Sequence, residues 1–296
     1  MTAGIPMARS DWKRPKDFSA PEGRRRVALE VSYDGRAFCG WQSQLDEKSV
    51  QDTIKAAVER LVGEDKHVVV VGSGRTDSGV HAYGQVAHAE FDDCSIPIKA
   101  FYAGLNSILP FSVRIKRSWD AEPSFHARYS AMAREYRYFC KEGEGHDCFS
   151  DGLVTIIRSF PDIDLLNGYA KTLIGTHDFN TFTSAKDDCP SKVRDIYESS
   201  FSWTKSMFGE KVLCYKICGN AFLYHMVRSL VGTMLDMGSR GCPVSEFEEV
   251  LASKDRSRAG KTAASDGLYL WRVSYDPEEY RWFEEEYGKQ RKAQST

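Results

Sequence analysis

A strand–loop–strand unit constrains this chain more than any other feature. Val68-Val69-Val70-Val71 is a continuous apolar run and reads as a buried strand. Gln85 to Phe91 alternates and reads as the next strand. Between them lies Gly72-Ser73-Gly74-Arg75-Thr76-Asp77-Ser78-Gly79-Val80-His81-Ala82. Two turn residues suffice for a hairpin, so this connection is longer than strand pairing requires. Gly72, Gly74 and Gly79 allow backbone angles closed to other residues and let a ligand come close. One cation (Arg75), one hydroxyl (Thr76) and one carboxylate (Asp77) sit among them. A long turn with solvated charges is the plain alternative. So mixed a chemistry in one loop favours a functional one.

The flanking patterns give the unit its setting. Val27 to Tyr33 alternates as a strand, and Asp34-Gly35 turns it. Ser49 with Asp52 forms a helix-capping pair, followed by Val50, Ile54, Ala57, Val58 and Leu61 at helical spacing. His67 to Val71 is the second strand, Pro97 opens a helix through about Leu105, and Val113 to Trp119 is the fourth strand. The order is βαββαβ, a ferredoxin-like unit. Later segments repeat it: Glu135 to Cys140, a helix over Asp164 to Ile174, strands over Ile196 to Trp203 and Lys211 to Cys218, a helix over Phe222 to Met237, and a strand over Leu268 to Val273.

The expected fold is α+β. Two ferredoxin-like halves form a large mixed, mainly antiparallel sheet with flanking helices and a central cleft. The expected divisions are a disordered leader over 1–26, halves over 27–124 and 125–275, and a tail over 276–296. Lys141 to Asp162 and Thr183 to Ser191 read as surface loops. A helix after Pro277 places Tyr280, Phe283 and Tyr287 on one stripe.

Net charge is −2, so the total gives no sign of a nucleic-acid partner, although phosphate contacts need only a local basic surface. Arg24-Arg25-Arg26 could touch phosphate or enter a strand as solvated charges. No apolar run approaches the ~20 residues of a membrane span. Met1 to Glu22 lacks a signal-peptide core, and its acidic residues argue against a transit peptide. The eight cysteines include no Cys-x-x-Cys pair, which points to reduced structural thiols and a cytoplasmic protein.

Asp77 on a glycine-flanked loop could be a base, a nucleophile or a metal ligand. A metal would call for more acidic neighbours than the loop supplies, so no metal is expected. Arg228 lies in the apolar segment Phe222 to Val231, where a buried guanidinium needs an anion, and His225 precedes it by one helical turn. An ion pair holding the halves together is the competing reading. Arg75 either reaches a ligand or is a solvated loop arginine. In Arg134-Glu135-Tyr136-Arg137-Tyr138, residues 134, 136 and 138 share one strand face, and either tyrosine could be a core residue or a stacking surface. Trp41, His81, His126 and His177 read as core residues, and Lys254, Arg256 and Lys261 as solvated charges.

Gly74 to Ala82 resembles the signature of the tRNA pseudouridine synthase A (TruA) family. Further segments match in the same order: Tyr33-Asp34-Gly35, Gly40-Trp41-Gln42, Phe125-His126-Ala127-Arg128, Tyr136-Arg137-Tyr138, Gly219-Asn220-Ala221-Phe222, His225-Met226-Val227-Arg228 and Gly267-Leu268-Tyr269-Leu270. The resemblance implies that Asp77 is catalytic and paired with Arg228, which keeps the carboxylate ionised. It implies that Tyr136 stacks on the target uracil, with Leu268 or Leu270 as an apolar shelf on the other side. Arg75 would reach phosphate or take the place of an extruded base. The implied reaction isomerises uridine to pseudouridine by base flipping, with no cofactor, at about positions 38–40 of tRNA. The implied assembly is a homodimer. Thr262 to Gly267 lacks the proline usual in the family, which bears on the turn into the last strand. The alternatives are a non-catalytic RNA-binding module, a synthase acting on other RNAs, and a glycoside hydrolase, which would need a second carboxylate.

Overall fold

The computed structural model describes residues 18–92, 94–143, 147–206, 208–283 and 286–287. In the first half, β1 (Arg24–Tyr33), α1 (Val50–Val62), β2 (Val69–Gly72), β3 (His81–Asp92), α2 (Ile98–Ile108) and β4 (Val113–Asp120) follow the expected βαββαβ order. The Ser49 hydroxyl accepts the Asp52 N–H at 3.0 Å and starts α1. Val50, Ile54, Ala57, Val58 and Val62 form the buried face of that helix.

The second half comprises β5 (Ala133–Glu142), β6 (Thr155–Ile157), α3 (Ile163–Thr172), β7 (Gly175–Asp178), β8 (Val193–Lys205), β9 (Lys211–Gly219), α4 (Met226–Ser239), α5 (Val244–Ala252) and β10 (Leu268–Ser274). All ten strands form one sheet, in the order β4-β1-β3-β10-β5-β9-β8-β7, with β2 on β3 and β6 on β5. The two halves therefore repeat one spatial order, β4-β1-β3-β2 and β10-β5-β9-β8, as ferredoxin-like units do. They join where β10 runs parallel to the start of β3, Tyr269 opposite His81 and Leu270 opposite Ala82. β1 occupies the other edge of β3, so β2 and β10 share this one: β2 takes residues 87–90 and β10 takes 81–82. The chain between β2 and β3 emerges at that junction. One hydrophobic core runs beneath both halves, from Leu29 and Ile54 through Tyr136 and Tyr138 to Leu230 and Met234.

Several expectations are corrected. β1 begins at Arg24, inside the expected leader, and its arginines neither reach for phosphate nor lie solvated. Arg24 and Arg26 pair with Glu90 at 3.2 and 2.5 Å, and Arg25 pairs with Asp120 at 2.7 Å. Residues 18–23 also leave the leader: Ala20 N–H donates to the Pro123 carbonyl, and Phe18 packs edge-on against His126. The rest of the leader, residues 1–17, lies outside the described residues. β3 starts at His81 rather than Gln85, which shortens the loop. α4 starts at Met226 rather than Phe222, because His225 takes the left-handed conformation (φ 64°) that ends an α-helical run. The expected loop over 141–162 carries β6, and β7 and α5 are further elements that the periodicity did not reveal. After Pro277 the chain turns before residues 281–283 become helical. Tyr280 stacks on Tyr197 at 4.5 Å, and Phe283 meets Tyr287 at 4.7 Å.

His88 shows how the outer face of β3 is sealed. Its Nδ1 accepts the Ala127 N–H at 3.1 Å, and its ring meets His126 edge-on at 4.8 Å. Burial pushes its pKa down to about 3, with His126 and Arg26 adding to the effect. The unfolded chain therefore binds the proton more readily. This contribution to stability is full above pH 6.5 and is lost as pH falls towards about 3. Urea unfolding is expected to weaken between pH 7 and 5 by at most about 1.4 kcal/mol per pH unit from this residue. The dependence is expected to be shallower in His88→Asn, whose amide oxygen accepts the same N–H but takes up no proton.

Candidate active site

The loop over 73–80 is fastened from both sides, and this fixes Asp77. From the first side, the Tyr33 and Thr76 hydroxyls share a hydrogen bond of 2.8 Å, and the Trp41 N–H donates to the Thr76 carbonyl at 3.2 Å. Gly40, at φ 118°, presses against that carbonyl, where a Cβ would lie 2.5 Å away. The Trp41 indole fills the space over Gly72. From the other side, the Gln85 side chain accepts from the Ser73 hydroxyl at 2.5 Å and donates to the Gly74 carbonyl at 3.0 Å. Thr76 is thus buried while its neighbours Arg75 and Asp77 face outward.

Asp77 meets its partners on a single oxygen. Arg228 Nη1 donates to Oδ2 at 3.1 Å, and His225 Nε2 lies 3.4 Å from the same atom. Among the described residues, Oδ1 has no hydrogen-bond partner. The Asp77 side chain is 20% exposed and that of Arg228 is 16% exposed, so the pair is partly shielded yet reachable. Arg228 is itself pinned, since its Nε donates to the Ala263 carbonyl at 2.8 Å. Its backbone carbonyl accepts the Ala263 N–H, which ties α4 to the segment leading into β10. That segment turns without the missing proline: the Leu268 N–H donates to the Ser265 carbonyl, and the Tyr138 hydroxyl donates to the Ala264 carbonyl at 2.9 Å.

Tyr136 stands beside this pair, on β5 opposite Leu270 of β10. Its ring meets Phe222 edge-on at 5.0 Å. Burial pushes its phenol up to about 12; Arg134 opposes that rise and the nearby Asp77 charge adds to it, so the ring stays neutral. Leu270, its cross-strand partner, is fully buried, and Tyr136 is itself largely buried. Tyr138 is also buried, with its hydroxyl tied to Thr155 and Ala264. Arg75 is exposed at the loop tip, where its Nε donates to Gln42 at 3.2 Å, and Gln42 in turn donates to Gln51.

The other residues considered are structural. His81 accepts the Gly35 N–H and contacts the Gly152 carbonyl; His177 contacts the Ile174 carbonyl. Lys254 pairs with Asp178, and Arg256 donates to the Ala259 and Gly260 carbonyls.

Arg134 is the neighbour of the site that the sequence reading passed over. It donates to the carbonyls of Ser73 at 2.9 Å, Arg128 at 2.8 Å, Asn220 at 2.8 Å and Ala131 at 3.3 Å. One guanidinium thereby fastens the Asp77 loop, the 125–132 segment and the end of β9. Burial lowers its pKa, with Tyr275 and Tyr136 opposing. Its place on the strand face of Tyr136 was the available signal.

A carboxylate is held on one oxygen by a guanidinium, near a neutral tyrosine, where two ferredoxin-like halves join. The family is shown by comparison with known proteins. A family model described as tRNA pseudouridine synthase matches residues 30–130 and 169–276. "tRNA pseudouridine synthase A" of Bacillus subtilis (strain 168) is 42% identical over 252 residues, covering 85% of this chain and 99% of that protein. The protein of the same name from Treponema denticola is 38% identical over 260 residues, covering 86% of this chain and 94% of its own. The chain belongs to the tRNA pseudouridine synthase A family, and it is an isomerase. A solved Cbf5-Nop10-Gar1 complex aligns with 87% of this chain and spans 65% of its own, at 12% identity and a TM-score of 0.30, too distant to carry weight.

Arg134→Ala leaves four carbonyls without this donor at the seam. It is expected to cost about 2–4 kcal/mol of stability. Activity measured well below the melting temperature is expected to fall as well, because Ser73 anchors the loop that carries Asp77. Thermal melting together with turnover at low temperature checks both effects.

Proposed function

We propose that the protein converts uridine to pseudouridine in tRNA, in the anticodon stem-loop at about positions 38–40, by flipping the base out of the stack. The carrying observation is the Asp77–Arg228 pair with Oδ1 left open beside Tyr136. Asp77 acts on the ribose of the target nucleotide as nucleophile at C1′. The N1–C1′ bond breaks with its electron pair on uracil. The ring then turns, C5 bonds to C1′ and displaces the carboxylate, H5 leaves as a proton, and N1 takes up a proton from solvent. Arg228 holds Oδ2 of Asp77 for the first step. Tyr136 supplies a neutral face for the uracil, a contact worth about 1–3 kcal/mol. Leu270 supports that face from beneath, and Arg75 engages the backbone or the gap left by the base. Nothing is oxidised or hydrolysed overall.

The reading includes a homodimer that shares each tRNA, as the family resemblance implies. The eight cysteines, none of them in a Cys-x-x-Cys pair, support a reducing, cytoplasmic location. Among the described residues no helix is long and apolar enough to cross a membrane.

Tritium release from tRNA transcripts carrying [5-³H]uridine tests the proposal. Release by the wild type and a fall of at least about 10³-fold in Asp77→Ala, with transcript binding retained, are expected. Binding without release by the wild type would instead indicate an RNA-binding module. Release from transcripts altered at the expected stem-loop positions would move the target elsewhere.

A further inference from the structure

His225 has no part in the chemistry described so far, yet it touches the reacting carboxylate. Its Nε2 lies 3.4 Å from Oδ2 of Asp77, the oxygen already bound by Arg228. The imidazole is held from two directions. Its backbone occupies the left-handed region at φ 64° and ψ 4°, a conformation that costs a non-glycine residue of order 1–3 kcal/mol. Its ring packs against Tyr224 at 3.9 Å between centroids. Tyr224 is anchored in turn, for its N–H donates to Asp187 Oδ2 at 2.7 Å and its carbonyl accepts the Ser184 N–H. Backbone strain kept at a catalytic centre calls for a function of the side chain it presents.

We propose that His225 is a positioning residue for Asp77: with Arg228 it holds Oδ2 in place, so that Oδ1 is the atom that attacks the ribose. This rests on the isomerase reading above. Two groups flank one oxygen, Arg228 by a hydrogen bond from the first turn of α4 and His225 by a 3.4 Å contact from the residue that precedes that helix. The second oxygen then faces the substrate in one orientation. A carboxylate held by Arg228 alone could swing about that single contact, and a misplacement of about 1 Å can cost as much as 10² in rate. The charged groups acting on His225 are Asp77, Arg228, Arg256 and Lys186. Burial lowers its pKa; Asp77 opposes this, and the three cations add to it, so the ring is neutral at pH 7. A neutral ring with Nε2 against Oδ2 limits where Asp77 can turn without neutralising it, whereas a protonated ring would draw the charge needed for attack.

His225→Gly separates side chain from backbone, because glycine takes this conformation without strain. With the 5-tritiated transcript and wild-type activity established, kcat is expected to fall about 10–100-fold while KM stays within about threefold. Added imidazole is expected to recover at least about fivefold of the loss. A kcat within about threefold of the wild type, or a loss that imidazole does not recover, overturns the proposal. Should the glycine variant fail to fold by circular dichroism, His225→Gln and His225→Leu decide. The amide donor of Gln is expected to keep kcat at least about tenfold above Leu, and equal losses overturn the proposal. Absence of release by the wild type would refute the isomerase reading itself, a result separable from any failure of the variants.

Discussion

One ion pair reaches between the two halves. Asp77 belongs to a loop of the first half and Arg228 to a helix of the second, 151 residues apart in sequence. Neither can reach the other unless β10 lies along β3, and the segment from Gly260 to Leu268 crosses α4. The second condition is met by close contact. Gly232 leaves no room for a side chain, since a Cβ there would lie 1.9 Å from the Lys261 carbonyl, and the Thr233 hydroxyl accepts the Gly260 N–H. The Asp77–Arg228 pair is therefore assembled by the whole fold and not by a local motif.

The sequence segments that match the family acquire a physical meaning in this light. Tyr33 and Trp41 hold the Thr76 backbone and hydroxyl; Gly40 admits that backbone; Asn220 supplies a carbonyl to Arg134. They are braces for a loop, and the loop carries one residue that needs to be placed accurately. Preorganisation of this kind lets a single charge act without rearranging when substrate arrives.

Much of this was legible beforehand. The first half could be read almost residue by residue, because its helices have a clear apolar stripe and its strands alternate. The Asp77–Arg228 pairing followed from resemblance, not from spacing. The errors have physical causes. The apolar run from Phe222 to Val231 looks helical throughout, but nothing in its periodicity discloses that His225 adopts φ 64°. β6, β7 and α5 are short, and tertiary pairing rather than their own pattern sets them. Arg134 resembles an ordinary strand arginine until four carbonyls converge on it. Leu270, expected as an apolar shelf for the uracil, is fully buried across the strand pairing from Tyr136.

The divided edge of β3 has a consequence for synthesis. A nascent chain can complete the β4-β1-β3-β2 sheet as soon as the first half has left the ribosome. Its remaining edge positions, His81 and Ala82, wait for β10, the final strand of the sheet. Closure of the seam is thus the most non-local event in folding, and of a kind that proceeds slowly. Until that strand docks, the loop that carries Asp77 and the helix that carries Arg228 belong to parts of one sheet that have not yet met.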